Sequence, residues 1–432
     1  MPSTPSNSSD SDLPRQFAVS VVEILRKEGF EALWAGGCVR DELLGKAPKD
    51  FDIASTATPE DVIRIFGPRR TVAVGASFGV VMVLGPTRPA GQIEVATFRS
   101  DGQYLDGRRP SSVQFCRPEE DARRRDFTIN GLFYDPLSDE VIDYVGGRAD
   151  LAAGVVRAIG DPVARFQEDK LRMLRAVRFA ATLHFQLDHK TADAIRQHHA
   201  EINQVSLERI AQELRRMLAH HSRAIAVQLL EDTGLLPEVL PEISSISGFL
   251  PNDRLLDALR FLESHRFEPA LGLLLQSLYI GEQTEPRARV ALIGGVCKRL
   301  KLSNEETDCI CWLLNSLPLL QGIENCPLHV LKPMLAHFLS GELLELSSAI
   351  ARSKATDPVD ADFCRRYLSR TSASTLMPTP LIDGRDVLER GIAAGPVVKA
   401  LLSTIQDEQL DEILVTREQA LLRLQQLIKT LS

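Results

Sequence analysis

The 432-residue chain carries 44% hydrophobic and 25% charged residues, the balance of an ordinary soluble protein, and is long enough for roughly two to four domains. Its net charge of −8 argues against a uniformly basic nucleic-acid binder, because Lys and Arg supply most of the affinity for phosphate. The N-terminus has no apolar sorting signal and no run is long enough to span a bilayer, so neither a secreted nor a membrane protein is expected.

In chain order, the polar segment MPSTPSNSSDSD, residues 1–12, reads as a disordered tail. Short strand-like runs follow: EALWA, DFDIAS, TVAVGASFGVVMVLG with its central SFG, QIEVATF, and the pair LFYD and EVIDY around a PLSD turn. Between them the pattern predicts a helix over Val39 to Leu44 and another over Pro59 to Phe66, the latter capped by Thr58 and opened by Pro59. Residues 13–150 are thus expected to form an α/β or α+β domain on a mixed sheet. From Asp161 onward the strand signal almost vanishes, and amphipathic runs such as KLRMLRAVRFAATL, LERIAQELRRMLA, RVALIGGVCKRL and REQALLRLQQLI predict helices. The tract Ser353 to Met377, with its scattered Ser and Thr, is expected to be a long connection. Seven cysteines form no C-x-x-C pair, which argues for reduced thiols in a cytosolic protein and against a zinc site. Between Leu151 and His220, 11 Arg and Lys stand against 8 Asp and Glu, so an acidic chain still carries a local basic excess.

The stretch LWAGGCVRDELLGKAPKDFDIAS, residues 33–55, holds the features that a hydrophobic core does not need. Strand alternation sends Asp50 and Asp52 to one face and Phe51 to the other, so the ring anchors while the carboxylates converge. Two hard oxygen ligands suit Mg²⁺, which binds through one or two carboxylates plus substrate phosphates. Gly36 and Gly37 stand where a strand turns into a helix, letting backbone N–H groups approach a phosphate chain, and Arg40 could add a charged fork. Singly, each feature is also what a solvated strand edge or a tight turn produces. Their order is what carries weight.

The segment G-G-x-V-R-D-x-L-L-G followed by D-F-D resembles the signature of the tRNA nucleotidyltransferase and bacterial poly(A) polymerase family, class II of the polymerase-β-like nucleotidyltransferases. Further similar blocks come in order: RRRDFTINGLFYD at 123–135, DYVGGRADL at 143–151, RFQEDKLRMLRAVRFA at 165–180 and SLERIAQEL at 206–214. Beyond His220 the similarity thins to helical character and LIDGRDVLERGIAAGPVVKALL. The resemblance implies a nucleotidyltransferase head over 13–150, a neck over 151–220 that binds nucleotide base and RNA, and a helical body and tail over 221–432 that bind tRNA.

It also implies roles. Asp50 and Asp52 resemble the pair that holds two Mg²⁺ ions, and Glu94 could face the same metals or be an ordinary strand carboxylate. Arg125 matches a nucleotide-contacting arginine, Asp126 and Asn130 would shape the ribose pocket, and Arg123 and Arg124 read as a solvated turn. In QEDKLRMLRAVRF, Asp169 and Arg172 at i, i+3 are expected on one helix face that Arg175 and Arg178 continue. Without the family this would be a salt-bridged surface stripe. With it, the carboxylate accepts from an exocyclic amine and the guanidinium donates to an unprotonated ring nitrogen. Cytosine and adenine present both groups; uracil and guanine do not. Arg175 and Arg178 remain for the triphosphate or for stacking.

The tract between Phe98 and Arg125 keeps a loop rich in Gly and Arg, similar to the flexible element with which CCA-adding and A-adding enzymes switch to ATP, which disfavours CC-only addition. Where poly(A) polymerases of the family carry a basic stretch this chain has VGASFGVVMV, which favours tRNA. No His-Asp pair of an attached phosphohydrolase domain is present. CCA or terminal-A addition to tRNA from CTP and ATP is therefore expected. A-only addition and poly(A) tailing are the alternatives within the class; a catalytically silent RNA-binding protein and a small-molecule nucleotidyltransferase lie outside it. The intact D-x-D speaks against silence and the long helical extension against a small acceptor. The sequence carries no signal for oligomeric state.

Overall fold

The structure, a computed structural model, describes residues 13–73, 79–101, 113–244, 253–276 and 286–431. The expected N-terminal tail, the SF of the SFG run and most of the Gly/Arg-rich loop lie outside the described residues. The chain divides into two compact units, one of residues 1–217 and 225–241, the other of 218–224 and 242–432.

In the first unit, helix α1 (Leu13–Lys27) precedes strand β1 (Ala32–Ala35), helix α2 (Gly37–Leu43), β2 (Asp52–Ser55) and α3 (Pro59–Phe66). Strands β3 (Thr71–Val72), β4 (Val80–Leu84) and β5 (Gln92–Thr97) follow, then the hairpin of β6 (Arg99–Asp101) and β7 (Val113–Phe115). Helix α4 (Pro118–Arg124), strands β8 (Leu132–Asp135) and β9 (Glu140–Asp143), α5 (Gly147–Ala153) and β10 (Val155–Val156) complete the α/β part. Seven strands form one mixed sheet in the order β3-β4-β5-β2-β1-β8-β9, in which β2 and β5 run parallel and the other pairs antiparallel.

Strand β1 is buried at every residue because it lies in the middle of the sheet with both faces covered. Leu33 and Ala35 point to one side, into a cluster with Ala54, Phe98, Ala122 and Phe133. Trp34 points to the other, 4.7 Å from the Phe51 ring and 5.3 Å from Tyr134. Burying one such aromatic side chain is worth about 2 kcal/mol, and here it also anchors Phe51, which stands between Asp50 and Asp52.

The helix over Pro59–Phe66 forms as its sequence predicts. Thr58 Oγ1 accepts from the Asp61 N–H at 3.3 Å and Asp61 accepts from the Thr58 N–H at 3.2 Å, a reciprocal capping box with Pro59 at the first helical position. The preceding helix starts at Gly37 rather than Val39, because Gly36 at φ 78° makes the turn and frees the next residue to begin the helix.

Helices then dominate the chain: α6 (Pro162–Glu168), α7 (Arg172–Leu183), α8 (His189–His198) and α9 (Leu207–Leu218). One small strand, β11 (Gln186–Leu187), pairs in parallel with β10. The described part of the second unit is helical, with a terminal core of Ile382, Val387, Leu401, Ile405, Leu414, Ala420 and Leu424. The expected long connection over Ser353 to Met377 is corrected: helices Val359–Arg370 and Ala373–Leu376 occupy most of it. The Ser372 hydroxyl caps rather than breaks, accepting from the Thr375 N–H, while Ala361 and Cys364 bury one face of the longer helix. All seven cysteines are free thiols, and among the described residues no helix is long and apolar enough to cross a membrane.

Candidate active site

A cleft of about 670 Å³ opens at the end of β1 and β2, and twelve of the thirteen residues singled out from sequence line it. Glu94 does not line it; it stands on β5 in register with Asp52 on the parallel β2. The strand itself begins only at Asp52, so Asp50 sits on the bend before it while buried Phe51 supplies the anchor. Desolvation in the cleft raises the Asp52 carboxyl to about 6, with Glu94 and, more weakly, Asp50 adding to it and Arg125 pulling against it. A desolvated carboxylate with two further carboxylates acting on it is a place where a cation is electrostatically welcome. Among the described residues no three His, Cys, Asp or Glu side chains gather as a metal site of their own, so Asp50 and Asp52 would hold a hard cation only with oxygens brought by a substrate.

The glycines act differently from one another. Gly36 adopts φ 78°, which L side chains avoid, and a Cβ there would stand 2.9 Å from Arg125 Nη1. Gly37 opens α2 and has room for a Cβ, with Arg40 Nη2 the nearest atom at 3.7 Å. Arg40 is buried and spoken for: Nη1 donates to Asn130 Oδ1 at 2.7 Å and Nη2 to Asp41 at 2.7 Å.

The segment RRRDFTIN folds around buried Asp121, which accepts from Arg124 Nε at 2.8 Å and from Arg125 Nη2 at 3.0 Å. Burial alone would raise the Asp121 carboxyl, but the two guanidiniums outweigh it and hold it below the usual range. Arg124 therefore is not the solvated turn the sequence predicts; it lines the cleft, whereas Arg123 is exposed and pairs with Glu119. Asp126 accepts from Arg175 Nε at 2.9 Å, from the Phe127 N–H at 2.8 Å and from Asn130 Nδ2 at 3.1 Å. Burial opposes ionisation there too, and Arg175 and Asn130 overcome it, drawing the carboxyl down to about 2. The DYVGGRADL block supports this turn from behind. Thr128 donates to Asp150 at 2.7 Å, and a Cβ on Gly147 would strike the Thr128 carbonyl oxygen.

Asp169 and Arg172 meet in the cleft, but not on one continuous helix. Helix α6 ends at Glu168, and Asp169 leaves it at φ −148°, ψ 105°, before α7 starts at Arg172. The i, i+3 expectation is thus corrected: the break lets Asp169 accept from the Leu171 N–H at 3.1 Å and turn its carboxylate independently of the α7 face. Arg172 Nη1 donates to Glu168 Oε2 at 2.5 Å and to the Arg165 carbonyl at 3.0 Å, and Nη2 to the Arg124 carbonyl at 3.3 Å. Arg175 and Arg178 do continue along α7; Arg178 stacks its guanidinium 4.0 Å from the Phe179 ring centre and pairs with Glu213.

Sequence reading did not assign Phe179, Arg209 or Arg216, all of which line the cleft. Arg209 and Arg216 sit in or just after the SLERIAQEL block, seven residues apart on α9, and that helical spacing places them on one face.

Residues 32–157 match the model of the poly(A) polymerase head domain, and residues 184–246 match that of a probable RNA- and SrmB-binding site of polymerase A. The chain is 35% identical over 400 residues to the CCA-adding enzyme of Geobacillus stearothermophilus, spanning 91% of this chain and 92% of that one. It is 38% identical over 316 residues to the CCA-adding enzyme of Enterococcus faecalis, 71% of each chain. The crystal structure of the Bacillus stearothermophilus CCA-adding enzyme in complex with CTP superposes with a TM-score of 0.78 at 30% identity, over 96% of this chain and 98% of that one. A cleft assembled from these ordered blocks, in a chain alike to such enzymes over nearly its whole length, makes this protein a nucleotidyltransferase of the family of CCA-adding enzymes and poly(A) polymerases.

Proposed function

We propose that the protein adds CCA, or restores its terminal A, to the 3′ end of tRNA from CTP and ATP in the cytosol, releasing pyrophosphate. One observation carries the reading: the Asp50/Asp52 pair opens into the same cleft as the Asp169/Arg172 pair. A site for phosphoryl chemistry and a site able to read a base therefore share one substrate.

Asp50 and Asp52 would hold two Mg²⁺ ions, which when bound supply activation of the RNA 3′-hydroxyl and neutralisation of the triphosphate. The chain's own residues do the rest. Gly36 bends the backbone out of the way of the phosphates, and Arg125 faces them from the same wall. Asp126 and Asn130, bonded to each other and held by Arg175 and Arg40 respectively, give the ribose a rigid floor. Asp169 accepts the exocyclic amine of C or A, and Arg172 donates to the unprotonated ring nitrogen beside it. Uracil offers a carbonyl to the carboxylate and an N–H to the guanidinium, and guanine likewise, so both are repelled. The neck over 151–220 and the helical body and tail over 221–432 hold tRNA by shape and backbone charge.

The deciding experiment incubates the protein with transcripts ending before CCA, after C and after CC, under each nucleotide in turn. Addition of two C and then one A supports the reading. Addition of A alone to the CC-ending transcript makes it an A-adding enzyme, untemplated A runs on any RNA make it a poly(A) polymerase, and no incorporation overturns the assignment.

A further inference from the structure

We infer that Arg209, on α9, is a positioning residue for nucleotide selection: it clamps Asp169 so that Oδ2 is the carboxylate oxygen turned to the incoming base. The inference rests on the reading of Asp169 as a base-reading group and adds the residue that aims it.

The two oxygens of Asp169 are not bonded alike. Asp169 Oδ1 accepts from Arg209 Nη1 at 3.1 Å and from the Leu171 N–H at 3.1 Å, which saturates its two acceptor positions. Oδ2 accepts only from Arg209 Nη2, at 2.7 Å, and keeps one position open. The paired, fork-like contact fixes the plane of the carboxylate, which a single contact would leave free to rotate. Fixing is needed because Asp169 sits where α6 has ended and α7 has not begun, so no helix holds its side chain. Both partners are largely shielded, with side-chain exposures of 19% and 17%, so the pair is not one of the freely solvated ion pairs that contribute little.

The same helix supports the neighbouring arginine. One turn after Arg209, buried Glu213 receives Arg178 Nε at 2.5 Å and Arg216 Nη1 at 3.2 Å. One face of α9 thus fixes an acid and a base of the opposite wall. A simple tie between neck helices would need only one such contact, whereas the fork leaves one acceptor position on Oδ2 unused in a residue that lines the cleft.

The test compares Arg209→Met, Arg209→Lys, Asp169→Asn and the double variant Asp169→Asn/Arg209→Met, reading kcat/KM for CTP, ATP and UTP beside the thermal midpoint. Arg209→Met should lower the preference for CTP over UTP roughly ten-fold or more. Arg209→Lys, which keeps the charge but not the fork, should recover part of it. The double variant should select no worse than Asp169→Asn alone, since the clamp acts only through the carboxylate. If Asp169→Asn loses selectivity while both Arg209 variants keep it, the clamp is a structural tie and the base reading stands without it. If Asp169→Asn keeps selectivity, the base reading falls and this inference with it. Additive losses in the double variant would place Arg209 against the base itself and overturn the positioning role.

Discussion

Asp126 offers a quantitative test of how the cleft is held. Its carboxyl lies at about 2 against 3.8 for an unperturbed aspartate, with burial opposing ionisation and Arg175 and Asn130 more than compensating. A depressed pKa means that the ionised form stabilises the fold above the unfolded value and that this contribution fades as pH falls through the folded one. The shift corresponds to about 2 kcal/mol at neutral pH, of which about half is gone by pH 3. Asp126→Asn keeps the shape and the Asn130 contact but strips Arg175 of its charge partner, so the variant should be less stable than the parent at pH 7 by about that amount. It should also lack the matching acid dependence, so the gap between the two stabilities should shrink to about half between pH 5 and pH 3. Urea unfolding at half-unit steps over that window measures the gap directly. A gap that stays constant down to pH 3 would mean that the Asp126–Arg175 contact does not stabilise through charge, and the account of this wall would have to be abandoned.

Three more outcomes are expected. Asp50→Ala and Asp52→Ala should each abolish incorporation of both CMP and AMP without lowering the urea midpoint, because among the described residues neither carboxylate makes an ion pair and Asp52 is ionised against desolvation; near-normal incorporation in Mg²⁺ by either variant would rule out their metal role. Gly36→Ala forces a Cβ onto a φ of 78° and against Arg125, so unfolding should be easier by about 1–2 kcal/mol and KM for nucleotides should rise; unchanged kinetics would show that Arg125 does not need its present place. Arg172→Ala should let UTP compete, with the CTP-to-UTP ratio of kcat/KM falling roughly ten- to a hundred-fold, and an unaltered ratio would leave Arg172 an ordinary helix residue.

Much of this site was legible in the sequence because its parts are local. Gly36, Asp50 and Asp52 fall within 17 residues, and each has a physical cause that composition exposes: a left-handed turn, a strand start and a ring that anchors between two acids. Thr58 and Pro59 announced their helix for the same reason, since a cap and a first-turn proline act within one turn. What stayed hidden depends on partners distant in sequence. Arg209 meets Asp169 from 40 residues away, and Asp126 meets Arg175 across 49, distances over which periodicity says nothing. The break at Asp169 was missed because apolar spacing runs through it without a glycine or proline to mark the stop; the Leu171 N–H and Arg209 outbid the helix for its carboxylate. Ser and Thr between 353 and 377 have the composition of a loop, yet at Ser372 the hydroxyl serves as a helix cap.

The cleft's charges explain how an acidic protein handles a polyanion. Nine arginines and four aspartates line it, the reverse of the chain's overall balance. Most of those arginines are committed before any nucleotide arrives: Arg40 to Asp41 and Asn130, Arg125 to Asp121, Arg172 to Glu168, Arg175 to Asp126, Arg178 to Glu213 and Arg209 to Asp169. Each pairing fixes a long side chain during folding, so its rotamer entropy is not lost again on binding. Asp50 and Asp52 are the contrast, for among the described residues neither makes an ion pair, and Asp52 is pushed toward neutrality by desolvation and by Glu94. A wall of rigid, pre-paired guanidiniums facing two unpaired carboxylates favours a ligand that carries its own compensating cation. A nucleoside triphosphate escorted by divalent metal meets both demands, whereas a bare phosphate chain would satisfy the arginines and worsen the aspartates.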